Sequence, residues 1–422
     1  MNSEIIVAAD FGSSKIAVMA GQKNADGKIK VLGVEQDQTP VDSIRSGLII
    51  KPSDVSYKIN TLMKLLENRI QKPISKFYIN LNAHSMRTCK ASTTQTIESG
   101  KEIDQAILDK MLMSVKQTEI SNRHILHVTP QEYQLDTEPI KDPLNSIGSQ
   151  LIGNYVITIG KTEILDNIQK SVDRSGYTNE ECVISPLATS MALLSDTEKE
   201  LGCLLLDFGA GTTSLSIFKD GYLRHFAIIP FGGKHITSDL KDLNIREQDA
   251  EKLKVLKGAA RTIDIKKSLK IQVPSNIEGV EPQVVSNKDI AVIIEARLRE
   301  ILNFVKEQIK KSGYADKLGA GIVITGGASQ LEGLDTLSSE ILEYNVRKGS
   351  CENILDKESA EYNLPEYTSL IGLMLYGKAN CISSAKNEQG KKPKLPRKNI
   401  FGRVSDKMVS LFDDESPIND KK

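Results

Sequence analysis

The 422-residue chain has no net charge, because 55 lysine and arginine residues balance 55 aspartate and glutamate residues. A balanced chain provides no overall positive field for nucleic acid, so we expect no nucleic-acid partner. Long apolar runs are missing too: no stretch approaches the roughly 20 residues that cross a bilayer. Residues 1–4 lead directly into a strand-like run, without the pattern of a signal peptide. The length exceeds one ordinary core and predicts two or more domains.

The few cysteines are scattered, with neither the spacing of a metal site nor that of a disulfide framework. This predicts unpaired thiols in a reducing cytoplasm. His124 and His127 are three residues apart on a predicted strand and would point to opposite faces, which argues against a metal pair. The cysteines are Cys89, Cys182, Cys203, Cys351 and Cys381.

What the sequence does contain is a repeated segment. The stretch IIVAADFGSSKIAVMAG at residues 5–21 shares its plan with CLLLDFGAGTTSLSIFKDG at residues 203–221. Each has an apolar strand, Asp-Phe-Gly, small or hydroxyl residues, a second strand and a closing glycine, which predicts a β-hairpin. Asp10 and Asp207 occupy equivalent positions. The duplication predicts two pseudo-symmetric halves with a cleft between them.

The two predicted turns have the chemistry of a site for nucleotide phosphates. Backbone amides in glycine-rich turns bind anions, and hydroxyl groups and a lysine ammonium add donors. Carboxylates beside phosphate require a cation, so Asp10 and Asp207 are predicted ligands of a hydrated Mg²⁺. A single such hairpin would be an ordinary turn, whereas its duplication favours the nucleotide. The predicted phosphate-binding residues are Gly12, Ser13, Ser14, Lys15, Gly209, Gly211, Thr212 and Thr213.

A third glycine cluster, in GAGIVITGGASQLEGL, follows an apolar strand. Small residues there would let a flat adenine ring lie against the backbone, and an ordinary strand-to-helix turn is the alternative. Glu251 and Lys254 share one face of a predicted helix, where they would serve ribose and base; a solvated ion pair is the alternative. The small residues assigned to the nucleotide in this cluster and in PFGGKH are Gly232, Gly233, Gly326, Gly327 and Ala328.

In this order, the segments resemble the phosphate-1, phosphate-2 and adenosine motifs of the actin and heat-shock ATPase superfamily. Two predicted connecting helices, ISPLATSMALL and YTSLIGLMLYG, carry small residues where they would cross. Within that superfamily, RHILHVTPQEYQLD, EPIKDPLNSIGSQLIGNYVITIG and LRHFAIIPFGGKHITSDL resemble the FtsA family of bacterial cell-division proteins, and the resemblance extends over residues 5–377.

The resemblance implies an actin-like ATPase fold of the α/β class, with two pseudo-symmetric halves around a nucleotide cleft and an inserted subdomain of the FtsA type. It implies ATP and Mg²⁺ as cofactors and self-association into a polymer. It further implies a location on the cytoplasmic face of the inner membrane at the division septum. There the protein would bind the C-terminal peptide of FtsZ, tether the FtsZ ring and recruit later division proteins.

The resemblance also implies a division into subdomains. The inserted subdomain, 1C, would contact neighbouring protomers and later division proteins, and subdomain 2B would receive the FtsZ tail. Arg297 and Arg299 of 2B are candidate contacts, with a solvated helix face as the alternative. Their helix carries an apolar stripe of Ile290, Ile293, Ile294, Leu298, Ile301, Leu302, Val305 and Ile309. The predicted ranges are 1–83, 163–195 and 366–380 for 1A, 84–162 for 1C, 196–233 and 319–365 for 2A, 234–318 for 2B, 381–398 for a linker and 399–413 for a terminal helix.

Chaperone ATPases of the superfamily carry a glutamate that helps to position water at the start of the first connecting helix, and here Ser185 takes that place. A serine hydroxyl is a poor general base, so we expect ATP binding with weak or no hydrolysis. A small-molecule kinase would need an aspartate base, for which there is no convincing candidate. A chaperone would need a client domain after residue 377. A pilus-assembly ATPase with a similar core is the nearest alternative.

The terminal segment NIFGRVSDKMVSLFDDE is predicted to form an amphipathic helix that binds a membrane surface. It follows a polar, basic, proline-containing tether. Docking of this helix on the chain itself or on a partner is the alternative. The apolar face comprises Ile400, Phe401, Val404, Met408, Leu411 and Phe412.

Overall fold

The computed structural model describes residues 4–273 and 282–383. These form a larger compact unit, which comprises residues 4–88, 120–127 and 158–382, and a smaller one, which comprises residues 89–119 and 128–157. All five cysteines are free, as predicted.

The strands follow the repeated plan of the sequence. In chain order they are β1 (Ile5–Phe11), β2 (Lys15–Lys23), β3 (Ile29–Gln38), β4 (Ile44–Arg45), β5 (Leu48–Ile49), β6 (Lys76–Leu81), β7 (Arg87–Thr96), β8 (Arg123–Leu135), β9 (Glu138–Ile140), β10 (Gln150–Lys161), β11 (Thr178–Ile184), β12 (Cys203–Phe208), β13 (Thr213–Lys219), β14 (Tyr222–Ile229), β15 (Lys270–Val273), β16 (Gln283–Ser286), β17 (Ile322–Thr325) and β18 (Val346–Lys348).

The helices are α1 (Pro52–Ile70), α2 (Gln105–Lys116), α3 (Thr162–Ser175), α4 (Ser185–Leu193), α5 (Asp196–Leu201), α6 (Gly233–Leu240), α7 (Glu247–Lys257), α8 (Asn287–Ser312), α9 (Leu334–Leu342) and α10 (Thr368–Tyr376). Their ends follow local rules. Helix α8 begins with a capping box between Ser286 and Asp289 and ends at Gly313 in the left-handed region.

Both predicted hairpins are confirmed, and each is the centre of one half of the larger unit. In the first half the strand order is β11-β6-β1-β2-β3, with β1 antiparallel to β2 and parallel to β6. In the second half the order is β18-β17-β12-β13-β14, with β12 antiparallel to β13 and parallel to β17. The register is equivalent too: Asp10 lies opposite Asn80 of β6, and Asp207 lies opposite Thr325 of β17.

The larger unit has two apolar cores. One includes the buried faces of α1 and α3 and extends to buried residues of the second half, such as Cys203 and Phe226. The other includes the stripe predicted on α8, of which only Ile293 is partly exposed while still packing against the same core. The smaller unit has strands in the order β7-β10-β8-β9, together with α2. His124 and His127 both lie on β8.

The two predicted connecting helices, α4 and α10, cross where small residues meet. A Cβ atom at Gly372 of α10 would lie 1.8 Å from the carbonyl oxygen of Ala188 of α4. The backbones therefore touch, which the small residues in both helices allow. Helix α4 follows the carboxyl end of β11 directly, and Ser369 in the first turn of α10 hydrogen-bonds to Asp10 near the carboxyl end of β1.

Candidate functional site

The two hairpin turns lie against each other. A Cβ atom at Gly211 would be 2.7 Å from Ser13 Oγ. Lys234 Nζ, from α6 of the second half, donates to the Ser13 carbonyl oxygen of the first half at 2.7 Å. The turns that the sequence predicts to share one ligand are thus neighbours.

Some of the predicted phosphate-binding amides are already used inside the turns. The Gly12 amide donates to the Lys15 carbonyl at 3.0 Å, and the Gly209 amide donates to the Thr212 carbonyl at 2.9 Å. Among the described residues, the amides of Ser13, Ser14, Gly211 and Thr212 make no backbone hydrogen bond in the turns. Of the predicted set, these four amides are available to an anion, while the Thr213 hydroxyl donates to the Phe231 carbonyl.

Lys15 does not point freely into the cleft. Its Nζ pairs with Glu366 at 3.2 Å, donates to Gln36 Oε1 at 2.8 Å and lies 4.7 Å from the centre of the Tyr367 ring. Glu366 and Tyr367 directly precede α10. The first turn is therefore connected by a side chain to the start of the second connecting helix.

The other predicted small residues gather next to the second turn. The Gly233 amide donates to the Gly209 carbonyl at 2.9 Å. A Cβ atom at Gly233 would lie 3.3 Å from Ala328 Cβ and 3.4 Å from Lys254 Nζ. A Cβ atom at Gly232 would be 2.5 Å from the Gly209 carbonyl oxygen. Gly327 has open space around it. The PFGGKH segment, the third glycine cluster and helix α7 thus converge.

Lys254 forms the ion pair with Glu251 that the sequence offers as the alternative, but the lysine is only 7% exposed, so solvent reaches the pair from the glutamate side. Its Nζ donates to the Gly233 carbonyl at 3.0 Å, to Thr237 Oγ1 at 2.9 Å and to Glu251 Oε2 at 2.6 Å. Glu251 itself is exposed, so one of its sides faces solvent while the other holds the lysine. The ammonium is a fixed, desolvated charge beside Gly233.

The two aspartates form the electrostatic centre of the site. Asp10 Oδ1 accepts a hydrogen bond from Asn80 Nδ2 at 3.0 Å. Burial raises the pKa of Asp10, and Asn80, Lys15 and Ser369 oppose that shift. Burial and, second, the charge of Asp10 raise the pKa of Asp207 to about 7. The pair is therefore close enough to repel, as the duplicated sequence predicts.

Close packing holds the second aspartate in place. Gly326 has a φ of +88°, and a Cβ atom there would lie 2.3 Å from Asp207 Oδ1 and 2.6 Å from the Phe208 carbonyl oxygen. Only glycine fits this position. A side chain would push the third glycine cluster away from the second hairpin.

Two partly buried carboxylates that repel each other fit a divalent cation, because the cation removes both the repulsion and the cost of desolvating the charges. Within the described ranges, no cluster of three or more histidine, cysteine, aspartate or glutamate side chains is placed to hold a metal. The Asp10–Asp207 pair thus suits a cation whose remaining ligands are water and phosphate, which is the usual coordination of Mg²⁺.

Comparison with known proteins decides the family. The family description "Cell division protein FtsA" matches residues 204–372, and "SHS2 domain inserted in FTSA" matches residues 84–159. A cell division protein FtsA of Borreliella burgdorferi is 30% identical over 98% of this chain and 99% of the relative. The chain belongs to the FtsA family. The family's protein from Agrobacterium fabrum is 32% identical over 89% of this chain and 87% of its own length, and that of Escherichia coli K12 is 29% identical over 90% and 92%.

The fold of this FtsA family member is actin-like, as predicted. A chain of the PilM-PilN type IV pilus biogenesis complex is similar with a TM-score of 0.64 and 14% identity, over 88% of this chain and 98% of that chain. MreB5 of Spiroplasma citri bound to ADP has a TM-score of 0.52 and 12% identity, over 88% and 96%. At these identities the likeness shows the fold alone. The FtsA-type insertion coincides with the SHS2 match, while the individual subdomain boundaries stay predictions.

The resemblance to the FtsA family and its superfamily also singled out three residues outside the glycine-rich turns, namely Ser185, Arg297 and Arg299. Ser185 is 1% exposed, and its Oγ has no hydrogen-bond partner among the described residues. Arg297 forms a paired contact with Asp239, at 2.6 Å and 2.9 Å. Arg299 pairs with Glu295 at 2.8 Å and with Glu340 at 3.0 Å.

Arg299 also lines an open groove of about 420 Å³, whose lining residues all fall in the range assigned to subdomain 2B except Glu340, which falls in the range assigned to 2A. Ile263 in this groove is 80% exposed. The groove therefore combines cations with an apolar surface. Its lining residues are Arg261, Thr262, Ile263, Lys288, Glu295, Arg299 and Glu340.

The predicted membrane-binding helix of this FtsA family member lies outside the described residues, as does most of the predicted linker. In residues 4–273 and 282–383, no helix has the length and apolar character needed to span a bilayer.

Sequence reasoning missed several polar side chains at the site. They are Asn80, Lys234, Thr325, Glu366 and Thr368. Asn80 carried a signal, because it is the one polar residue inside the otherwise apolar stretch FYINL. Thr325 and Thr368 share a buried hydrogen bond of 3.0 Å. No local pattern marks that contact.

Proposed function

We propose that the protein binds ATP with Mg²⁺ and, as a polymer on the cytoplasmic face of the inner membrane, tethers the FtsZ ring at the septum and recruits later division proteins. The observation that carries this proposal is the partly buried pair of Asp10 and Asp207, at equivalent ends of duplicated strands beside turns with available amides. Membership of the FtsA family supports the role in cell division.

Different residues of the site would bind the phosphates, the cation, the ribose and the adenine base. The amides of Ser13, Ser14, Gly211 and Thr212 would bind phosphate oxygens, with the carboxylates of Asp10 and Asp207 turned to the cation. Lys254 would bring its charge near the ribose or base, and Gly326, Gly327 and Ala328 would leave room for the adenine ring. This list stays close to the one predicted from sequence, with the amides of Gly12 and Gly209 closing the turns instead.

Hydrolysis is expected to be weak. A bound magnesium nucleotide supplies a γ-phosphoryl group, whose transfer to water needs a residue that orients the water. Ser185 is buried at the start of α4 with an unpaired hydroxyl, so it has hydrogen-bonding capacity for water but little basicity. Such a site favours a long-lived ATP-bound state.

The groove beside α8 is the proposed site for the acidic C-terminal peptide of FtsZ. Arg261, Lys288 and Arg299 supply positive charge, and Ile263 supplies apolar contact. The Arg299 side chain is 42% exposed although it already pairs with two glutamates, so its guanidinium can be reached by an incoming carboxylate. Membrane attachment is assigned to residues 399–413 on the strength of their amphipathic sequence.

The nucleotide part of the proposal is tested by measuring binding of a fluorescent ATP analogue in MgCl₂ and in EDTA. We expect tight binding in Mg²⁺ and weaker binding in EDTA. Asp10→Asn and Asp207→Asn are each expected to lose at least tenfold of the Mg²⁺-dependent affinity, because each removes one charge from the cation site. Asp26→Asn, at an exposed aspartate, is the matched control. Unaltered binding in both site variants contradicts the proposal.

A further inference from the structure

Asn80 is an unusual residue for its position. It lies in β6 between apolar neighbours and is only 7% exposed. A buried amide is costly unless all its polar atoms have partners. Its Nδ2 donates to Asp10 Oδ1 at 3.0 Å, in a register that places the two residues directly opposite each other on β6 and β1. The cost of burial is therefore partly offset by a hydrogen bond to a carboxylate.

The other end of the same amide has no partner. Among the described residues, Asn80 Oδ1 is buried and accepts no hydrogen bond. The same holds for Asn82 Oδ1 and Ser185 Oγ. Because Leu81 pairs with Ile184 in the parallel strands β6 and β11, Asn82 and Ser185 follow at the next position of each strand. Three buried oxygens without hydrogen-bond partners near the carboxyl ends of β6 and β11 are typical of a site that holds ordered water.

The two aspartates are not held alike. Thr325, which takes the place of Asn80 in the second half, directs its hydroxyl to Thr368 of α10. Among the described residues, no side chain donates a hydrogen bond to Asp207, whereas Asn80 and Ser369 donate to Asp10. Asp10 is thus the anchored member of the pair.

We infer that Asn80 is a positioning residue of the cation site, which fixes the Asp10 carboxylate through Nδ2 and binds a water of the cation's hydration shell through Oδ1. The inference rests on the proposed function, because it requires the Mg²⁺ nucleotide. Mg²⁺ keeps several of its waters when it binds to proteins. An amide is suited to both tasks, since it carries a donor for the carboxylate and an acceptor for the water.

The test compares the affinity of the full-length chain for the fluorescent ATP analogue in MgCl₂ and in EDTA. Asn80→Leu keeps the side-chain size and removes both polar groups. We expect the dissociation constant in EDTA divided by that in MgCl₂ to fall about tenfold in this variant, which corresponds to about 1.4 kcal/mol. The dissociation constant in EDTA itself should change less than threefold. A purely structural role for Asn80 would change both constants together.

Asn179→Leu is the matched control, since Asn179 also has a buried, unpaired Oδ1 but lies at the opposite end of the neighbouring strand β11. Asn80→Ala serves as the second variant if thermal melting shows that Asn80→Leu does not fold. A folded Asn80 variant with the wild-type ratio overturns the inference alone. A wild-type protein without Mg²⁺-dependent nucleotide binding overturns the proposed function and this inference together.

Discussion

At the scale of single residues, the site places two negative charges where the fold solvates them only in part. Asp10 and Asp207 are partly buried near the ends of β1 and β12. Desolvation raises the pKa of both, and the charge of Asp10 adds to the shift of Asp207. Such an arrangement destabilises the empty protein and makes it responsive to a cation. Charge repulsion of this kind is common at functional sites, where binding has priority over stability.

This repulsion predicts a pH-dependent gain in stability for Asp207→Asn. The pKa of Asp207 is raised from 3.8 to about 7, so the folded protein holds its proton more tightly than the unfolded chain. The stabilisation from this proton is fully present below pH 3.8 and is lost as the pH rises to about 7, at a cost of up to about 4 kcal/mol. In EDTA, we expect the variant to melt several degrees above wild type at pH 8 and close to it at pH 4.5. A lower melting temperature at pH 8 would refute this account.

The site residues that could be predicted from the sequence depend on a local pattern, whereas those that could not depend on turn conformation or on contacts between distant elements. The duplicated strand, turn and strand pattern places Asp10 and Asp207 equivalently, and that local pattern was sufficient. The amides of Gly12 and Gly209 close their own turns, which depends on turn conformation and not on residue type. The burial of Lys254 depends on Gly233 and Thr237 of another helix, and the bond from Asn80 to Asp10 depends on the register of two distant strands.

At the scale of elements, α4 and α10 connect the two aspartate environments. Helix α4 begins at Ser185, next to the edge of the first sheet. Helix α10 begins at Thr368, which bonds to Thr325, and continues with Ser369, which donates to Asp10. A change in the distance between the helices therefore reaches both halves of the site.

Gly372→Ala is predicted to separate these helices. Its Cβ atom would lie 1.8 Å from the Ala188 carbonyl oxygen, and a backbone atom cannot move aside as a side chain can. Overpacking of this kind costs about 1–3 kcal/mol or more, and the better helix propensity of alanine returns about 1 kcal/mol. Urea denaturation should show a net loss of about 2 kcal/mol, together with weaker nucleotide binding. Gly327→Ala, which has open space, should leave the stability of the nucleotide-free protein within about 0.5 kcal/mol of wild type. Equal stabilities for the two variants would show that the helices do not touch as described.

At the scale of the whole molecule, the proposed FtsZ-binding site and the proposed membrane-binding segment lie in different parts of the chain. The groove beside α8 belongs to the described residues, whereas the apolar residues predicted to bind a membrane follow a polar stretch of the sequence after residue 383. One short amphipathic helix binds a membrane only weakly, so attachment gains from many copies in one polymer. Membrane binding and FtsZ binding should therefore fail independently of each other.

Two variants of the full chain, mixed with anionic vesicles, ATP and FtsZ, test this independence by sedimentation. Phe401→Glu with Phe412→Glu should leave the protein in the supernatant yet keep its affinity for the FtsZ C-terminal peptide, because the substitutions place charge in the predicted membrane-binding segment and leave the residues that line the groove unchanged. Arg299→Ser should still sediment with vesicles but bind the peptide at least about tenfold more weakly, since one charged hydrogen bond contributes about 1.5–3 kcal/mol. Lys311→Ala, an exposed cation near the end of the same helix, is the matched control and should behave like wild type. If the phenylalanine variant sediments normally, residues 399–413 are not the membrane anchor, and if Arg299→Ser binds the peptide normally, the groove is not the FtsZ site.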